Sequence, residues 1–403
     1  MESIEGTESL TDEEARIGQF LVARGGPFYT LQRQMGLLRE DAFRAGPRAM
    51  LLVGLAWGVP LVLSIVAGDA VGPNADRPYL LDLGVWARFF IAVGLFMMME
   101  RQVEERLRMH LVQFARAPIL APGSFETAAE AMTRALKRRD TRLAEIAGLT
   151  IAILATIAAL FRMIDTETSS WVVRVSPEGN SLTVAGWWCL VVSNSLFWFL
   201  LLRWLWRLFV WSMLLRDLAA LELRLVATHP DGHGGLAFIG QYPNAFATFV
   251  LAVSCVLGAA IAQEFLAGDL TPKTYGFVMG GWLLIVLMLF VFPLLAFRKP
   301  LAKLKEQTYL ACSALATRHH RAAERDLLGR NISAPEDAEK VAGQEIADPS
   351  KVFATTQKLS VFLVSRSALL PISAAALLPL VVASATKLPI KELFKILKRL
   401  LLL

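Results

Sequence analysis

Long apolar runs separated by clusters of Lys and Arg dominate the chain. Six are long enough to cross about 30 Å of hydrocarbon, which takes roughly 20 residues: Ala49–Gly68, Leu80–Met99, Ile146–Ile164, Thr183–Leu202, Ala245–Ala267 and Tyr275–Phe297. None alternates polar and apolar positions as a barrel strand does, and a helix satisfies its own backbone inside lipid. The pattern therefore predicts an all-α, polytopic membrane helical bundle of about six transmembrane helices. A seventh apolar region, Leu359–Ala385, contains Ser365-Arg366-Ser367, Pro371 and Pro379. Those breaks favour a re-entrant or face-packed C-terminal apolar hairpin over a kinked seventh crossing.

The polar segments predict cytosolic helical extensions. Residues 1–48 hold a capping box at Thr11–Glu14, the break Gly25-Gly26-Pro27, and a second short helix in PFYTLQRQMGLLRED. Within the six-span domain, residues 49–297, the large loops 101–145 and 203–242 are cytoplasmic. In the first, the second span continues through ERQVEERLRMHLVQFA, Pro118 and Pro122 turn the chain, and Ser124 caps a further helix. In the second, the fourth span is expected to continue to Ala227 as a rod of about 65 Å. Residues 298–357 read as a long cytosolic helix and a polar linker, and 358–403 as the hairpin followed by an amphipathic helix. That last helix carries Leu393, Ile396, Leu397 and Leu400 on one face and lysines on the other. It suits an anionic lipid surface, or a bundle of copies of itself in a homo-oligomer.

Charge sets the orientation. One side of the six spans holds 29 Lys and Arg and the other four, Arg77, Arg162, Arg174 and Lys273. The positive-inside rule then puts both the N- and C-termini in the cytoplasm of a bacterial-type inner membrane. The first apolar run follows an acidic opening, so no cleavable signal peptide is expected. A 55% hydrophobic content, a 19% charged fraction and a mean hydropathy of +0.50 agree with lipid as part of the solvent. The net charge of +6 points to anionic headgroups as partners and not to nucleic acid, because Lys and Arg flank apolar runs. Cys189, Cys255 and Cys312 have unrelated spacings and read as reduced packing residues.

Candidate chemistry falls in three places. Asp82, Arg88, Asn194 and Glu264 lie in or beside spans, where ionisable and polar groups mark an ion or substrate pathway or pin helices together. Arg203 and Arg207 share a helix face with Trp204 and Trp206 nearby, the pattern of a lipid-interface belt. The string Thr228-His229-Pro230-Asp231-Gly232-His233-Gly234-Gly235 brings two imidazoles and a carboxylate within five residues. His229, Asp231 and His233 suit a divalent metal; the glycines and Pro230 suit a helix-ending turn equally. All five histidines fall in cytoplasmic segments, where their convergence would build a metal or pH-sensitive site.

No catalytic residue emerges, since Walker, nucleophile-elbow, kinase, haem and iron–sulfur patterns are absent from the sequence. Three functional readings follow. The first is a channel or transporter for an ion or small solute, resting on Asp82, Arg88 and Glu264. The second is a membrane-anchored sensor, scaffold or assembly factor. The third is a metal-dependent hydrolase at the His229–His233 turn.

Overall fold

The computed structural model describes residues 25–37, 45–71, 77–164, 170–177, 179–267, 272–334, 348–364 and 366–385. The capping box at Thr11 and the amphipathic tail lie outside the described residues.

Helices build nearly the whole of it. Helix α1 (Pro27–Gln34) precedes α2 (Ala45–Ala67), α3 (residues 83–116), α4 (Phe125–Arg139), α5 (Arg142–Ile164) and α6 (Val184–Ala219). Then come α7 (Ala247–Ala267), entered through a 3-10 turn at Ile239–Phe246, and α8 (Pro272–Val291). A second 3-10 turn at Phe292–Phe297 leads into α9 (Arg298–Leu328), followed by α10 (Ser350–Lys358) and α11 (Arg366–Ser384). The sole sheet among the described residues is a two-stranded hairpin, β1 (Val173–Arg174) with β2 (Ser181–Leu182).

Seven helices have the length and apolar composition of a membrane span: α2, α3, α5, α6, α7, α8 and α11. The chain is an integral, multi-pass membrane protein. Helix α11 corrects the expected hairpin, because it runs unbroken through both Pro371 and Pro379. Each proline removes one backbone bond, and α7 and α8, packed along the helix, hold it in line. Its direction follows from three contacts. A Cβ on Gly240, before α7, would collide with the Leu363 carbonyl, and one on Gly258 would stand 3.0 Å from that of Pro379. At the far end the Tyr275 hydroxyl, at the start of α8, donates to the Leu380 carbonyl. Helix α11 thus runs beside α7 in the same sense, and Ser384 lies at the end of the bundle opposite Arg48.

Two further differences concern helix ends. The expected rod at the fourth span stops at Ala219, eight residues early. There Arg224 N–H donates to the Ile119 carbonyl at 2.7 Å and Ala121 N–H to Glu222 at 3.2 Å, so loop pairing captures the chain. The long extension belongs instead to the sixth span. Residues Thr274–Leu328 form an almost continuous 55-residue run, about 80 Å at 1.5 Å per residue, closed by Gly329 at φ 72°.

Three spans carry π-helical turns: Gly54–Gly58 in α2, Trp86–Ala92 in α3 and Cys189–Asn194 in α6. Such turns displace the usual i→i−4 bonding and present carbonyls sideways. In α2 those carbonyls find side-chain donors: Trp188 Nε1 to Leu55 at 2.9 Å, Ser193 Oγ to Ala56 at 2.6 Å and Tyr79 Oη to Trp57 at 2.6 Å. Below this belt the bundle interior is filled by Phe96, Phe197, Trp204, Trp211, Tyr242 and Phe290.

Candidate functional site at the basic end of the bundle

Glu100, in the fifth turn of α3, is 1% exposed and faces three guanidinium groups from two other spans. Arg48, in the first turn of α2, approaches its Oε2 at 2.7 Å. Arg203 and Arg207, one turn apart on α6, approach its Oε1 at 3.2 and 3.4 Å. A buried ion is tolerated only when paired and hydrogen-bonded, and this carboxylate is met on both oxygens. The basic partners bring their own support. Arg48 Nη2 donates to Gln32 Oε1 of α1, Arg203 Nε lies 3.6 Å from Glu145 of α5, and Arg203 Nη2 donates to the Gly25 carbonyl. The guanidinium of Arg203 stacks over Phe28 at 4.9 Å and that of Arg207 over Trp204 at 5.0 Å. Among the described residues three guanidiniums thus share two carboxylates, drawn from four spans, and α1 adds Gln32.

The backbone of α1 is fitted to this cluster. Gly25 and Gly26 adopt φ 120° and 88°, and a Cβ on either would collide with Asp140 or Glu145. Their approach lets Phe28 N–H donate to Glu145 Oε2 at 2.8 Å, so the helix N-terminus is anchored on a carboxylate. The two glycines read in the sequence as a helix break; here they also admit the carboxylates of Asp140, just past α4, and of Glu145 in α5.

Arg203 and Arg207, expected in a lipid-facing belt, are buried to 7% and 2% exposure inside this cluster. Trp204 is buried with them and donates to the Phe96 carbonyl at 3.1 Å. Trp206 is half-buried and donates to the Arg138 carbonyl at 3.3 Å. Helical spacing had correctly put the two arginines on one face, but not which way the face turns. Sequence reasoning passed over Arg48, Gln32, Glu100 and Glu145. The available signal was a single acid closing the second span, level with arginines at the ends of spans one and four.

The pathway candidates are distributed. Asp82 caps the start of α3 through Gly84 N–H at 2.9 Å and accepts from Trp171 at 3.1 Å and Gln263 at 3.0 Å. Arg88 lies one and a half turns further on, half-buried within the π turn and within electrostatic reach of Cys189. Asn194 is buried and donates to Thr156 at 3.0 Å, tying α6 to α5. Glu264 is exposed, one residue after the Gln263 that reaches Asp82.

The turn at 229–233 is organised by Asp231. Its Oδ1 accepts from His233 N–H at 2.8 Å and Gly235 N–H at 3.1 Å, its Oδ2 from Ala237 N–H at 3.0 Å, and His229 Nδ1 lies 2.8 Å away. Burial pushes this carboxyl up, but the three N–H donors and the His229 ring outweigh it and leave it below the usual carboxylate range. His233 Nδ1 meets the Asp231 carbonyl at 2.7 Å. The Asp231 oxygens and the Nδ1 atoms of both imidazoles are therefore engaged within the turn. Among the described residues no three His, Cys, Asp or Glu side chains are grouped to hold a metal ion. His110 stacks on Phe238, and His319 and His320 meet edge to face along α9.

No family model, curated protein or solved structure matches the chain.

Proposed function

We propose that this protein is a membrane-anchored sensor or assembly scaffold whose cytoplasmic helices are coupled to its spans through Glu100. The supporting observation is that one buried carboxylate binds arginines from α2 and α6 while Gln32 of α1 enters the same cluster. A shift of any one span changes the partners of the other groups, and α1 shifts with them. The filled interior of the bundle supports this reading over conduction. The balance of Lys and Arg supports a bacterial-type inner membrane with this end, α9 and the 229–233 turn in the cytoplasm.

The test is reconstitution of the purified chain in liposomes together with hydrogen exchange on α1. The expected results are ion flux at the level of empty vesicles, and faster exchange over Pro27–Gln34 when Glu100→Gln loosens the cluster. Flux of any tested ion well above empty vesicles overturns the reading.

A channel or transporter is the second reading. It is supported by Arg88, a charged residue on a π turn inside a span, since such turns recur at functional positions.

A further inference from the structure

On the lipid-facing side of the bundle, between α5 on one wall and α2 with α6 on the other, lies an open cleft of about 690 Å³. That volume falls within the roughly 300–1,000 Å³ of small-molecule sites. Its walls are apolar, with Leu55, Leu149, Val191, Leu196 and Phe199. Three of these are well exposed, Leu55 at 37%, Leu149 at 47% and Val191 at 58%. At the basic end the cleft meets Arg142 and Glu145, and α1 closes it with Phe28 and Leu31.

The dimensions match one leaflet. Arg142 and Leu149 are seven residues apart on α5, and Val191 and Phe199 eight apart on α6, about 10–12 Å along either axis. Half of a 30 Å hydrocarbon core is roughly 15 Å, so the cleft begins near headgroup level and ends short of the bilayer centre. Charge distinguishes its two ends. Arg142 is exposed and has no ion-pair partner among the described residues, while the neighbouring Glu145 is engaged by Arg203 and by Phe28 N–H. A smaller hollow lined by Arg139, Arg203 and Arg207 shares Glu145 and Phe199 with the cleft, which extends the positive charge behind its mouth.

We propose that this cleft holds one acyl chain of an anionic phospholipid from the leaflet on the basic side, with the phosphate on Arg142. The chain's own first residues do not suit it: Glu2, Glu5, Glu8, Asp12, Glu13 and Glu14 make that segment acidic and polar. The amphipathic tail follows Ser384, at the opposite end of the bundle. A phospholipid supplies both a chain of the right reach and an anion for Arg142. The site is built by the spans and stands whichever functional reading holds.

The experiment uses the full chain, stripped of lipid in detergent and then given dioleoylphosphatidylglycerol, dioleoylphosphatidylcholine or inorganic phosphate. Retained lipid is read by native mass spectrometry and stabilisation by thermal melting. The expected result is retention of one phosphatidylglycerol with about a fivefold preference over phosphatidylcholine, the effect of one interfacial arginine. Arg142→Gln should bring the two lipids close to parity, and Leu149→Trp, which fills the cleft, should lose both. Ile153→Trp, one turn further along α5 and outside the cleft lining, should behave as the parent. Equal retention of both lipids by the parent overturns the proposal, as does a preference that survives in Arg142→Gln and Leu149→Trp. Stabilisation by phosphate equal to that by phosphatidylglycerol would reduce the site to an anion contact without a chain, and a dimer that excludes lipid would assign the cleft to a second copy; either overturns it.

Discussion

Arg48 and Glu100 meet at 2.7 Å with both side chains 1% exposed, which joins the first turn of the first span to the fifth turn of α3. The two are not equivalent partners. Loss of Arg48 leaves Glu100 facing Arg203 and Arg207, whereas loss of the Glu100 charge removes the carboxylate that all three guanidiniums share and leaves Glu145 beside Arg203. Removing one member of a buried ionic group costs about 3–5 kcal/mol when a charge is left uncompensated. Glu100→Gln should therefore approach that loss and Arg48→Met should lose distinctly less, measured as melting midpoints of the same detergent preparations. An equal or reversed order would show that Arg48, and not Glu100, is the centre of the cluster.

The direction of α11 makes an independent prediction. Were all seven candidate spans to cross, Ala385 would lie on the side opposite Gly36, against the charge rule that alone favours a cytoplasmic C-terminus. A green fluorescent protein fused after Ala385 should stay dark and alkaline phosphatase at that point should be active, while fusions at Gly36 should show the converse. Fluorescence at both sites would restore a hairpin in place of the seventh span.

Asp231 gives a prediction in pH. Its folded pKa lies below the ordinary aspartate value of about 3.9, so its contribution to stability is complete above that value and is lost as pH falls through the lower, folded one. Asp231→Asn should therefore lower the melting temperature at pH 7 and bring the variant and the parent together in strong acid. A constant gap between the two from neutral to strongly acid pH would show that hydrogen-bond geometry, without charge, carries the effect.

The apolar runs made the spans legible because their signal is a property of each segment alone. Pro371 and Pro379 misled in the seventh, since what keeps α11 straight is packing on Gly258 and Tyr275 of other helices. The same limit applied at the site. Arg203 and Arg207 were visible as an i, i+4 pair, yet the carboxylate that buries them lies about a hundred residues away. Glu100 looked like the ordinary polar end of a span. Asp231 was singled out for its ligand chemistry; the left-handed Gly232, Gly234 and Gly235 around it instead let backbone N–H groups fold onto its carboxylate.

Arg88 separates the two functional readings. It lies six residues past Asp82, about 9 Å into α3, and a charge inside a span costs several kcal/mol unless it finds protein, water or headgroups. No carboxylate forms an ion pair with it among the described residues, and Asp82 is occupied by Gly84, Trp171 and Gln263. Arg88 is half-buried on the π turn, within electrostatic reach of Cys189, and a long arginine stem lets its charge be carried toward the interface. Its replacement by an apolar residue should then be tolerated, as such replacements of buried ionic groups often are. Arg88→Leu is expected to melt no lower than the parent and to leave liposome flux at the level of empty vesicles. Arg88→Glu should melt lower, because it adds an unpaired carboxylate at the same depth, again without flux. Flux in the parent that changes ion preference with the sign at position 88 would instead make this residue a selectivity charge and the protein a channel.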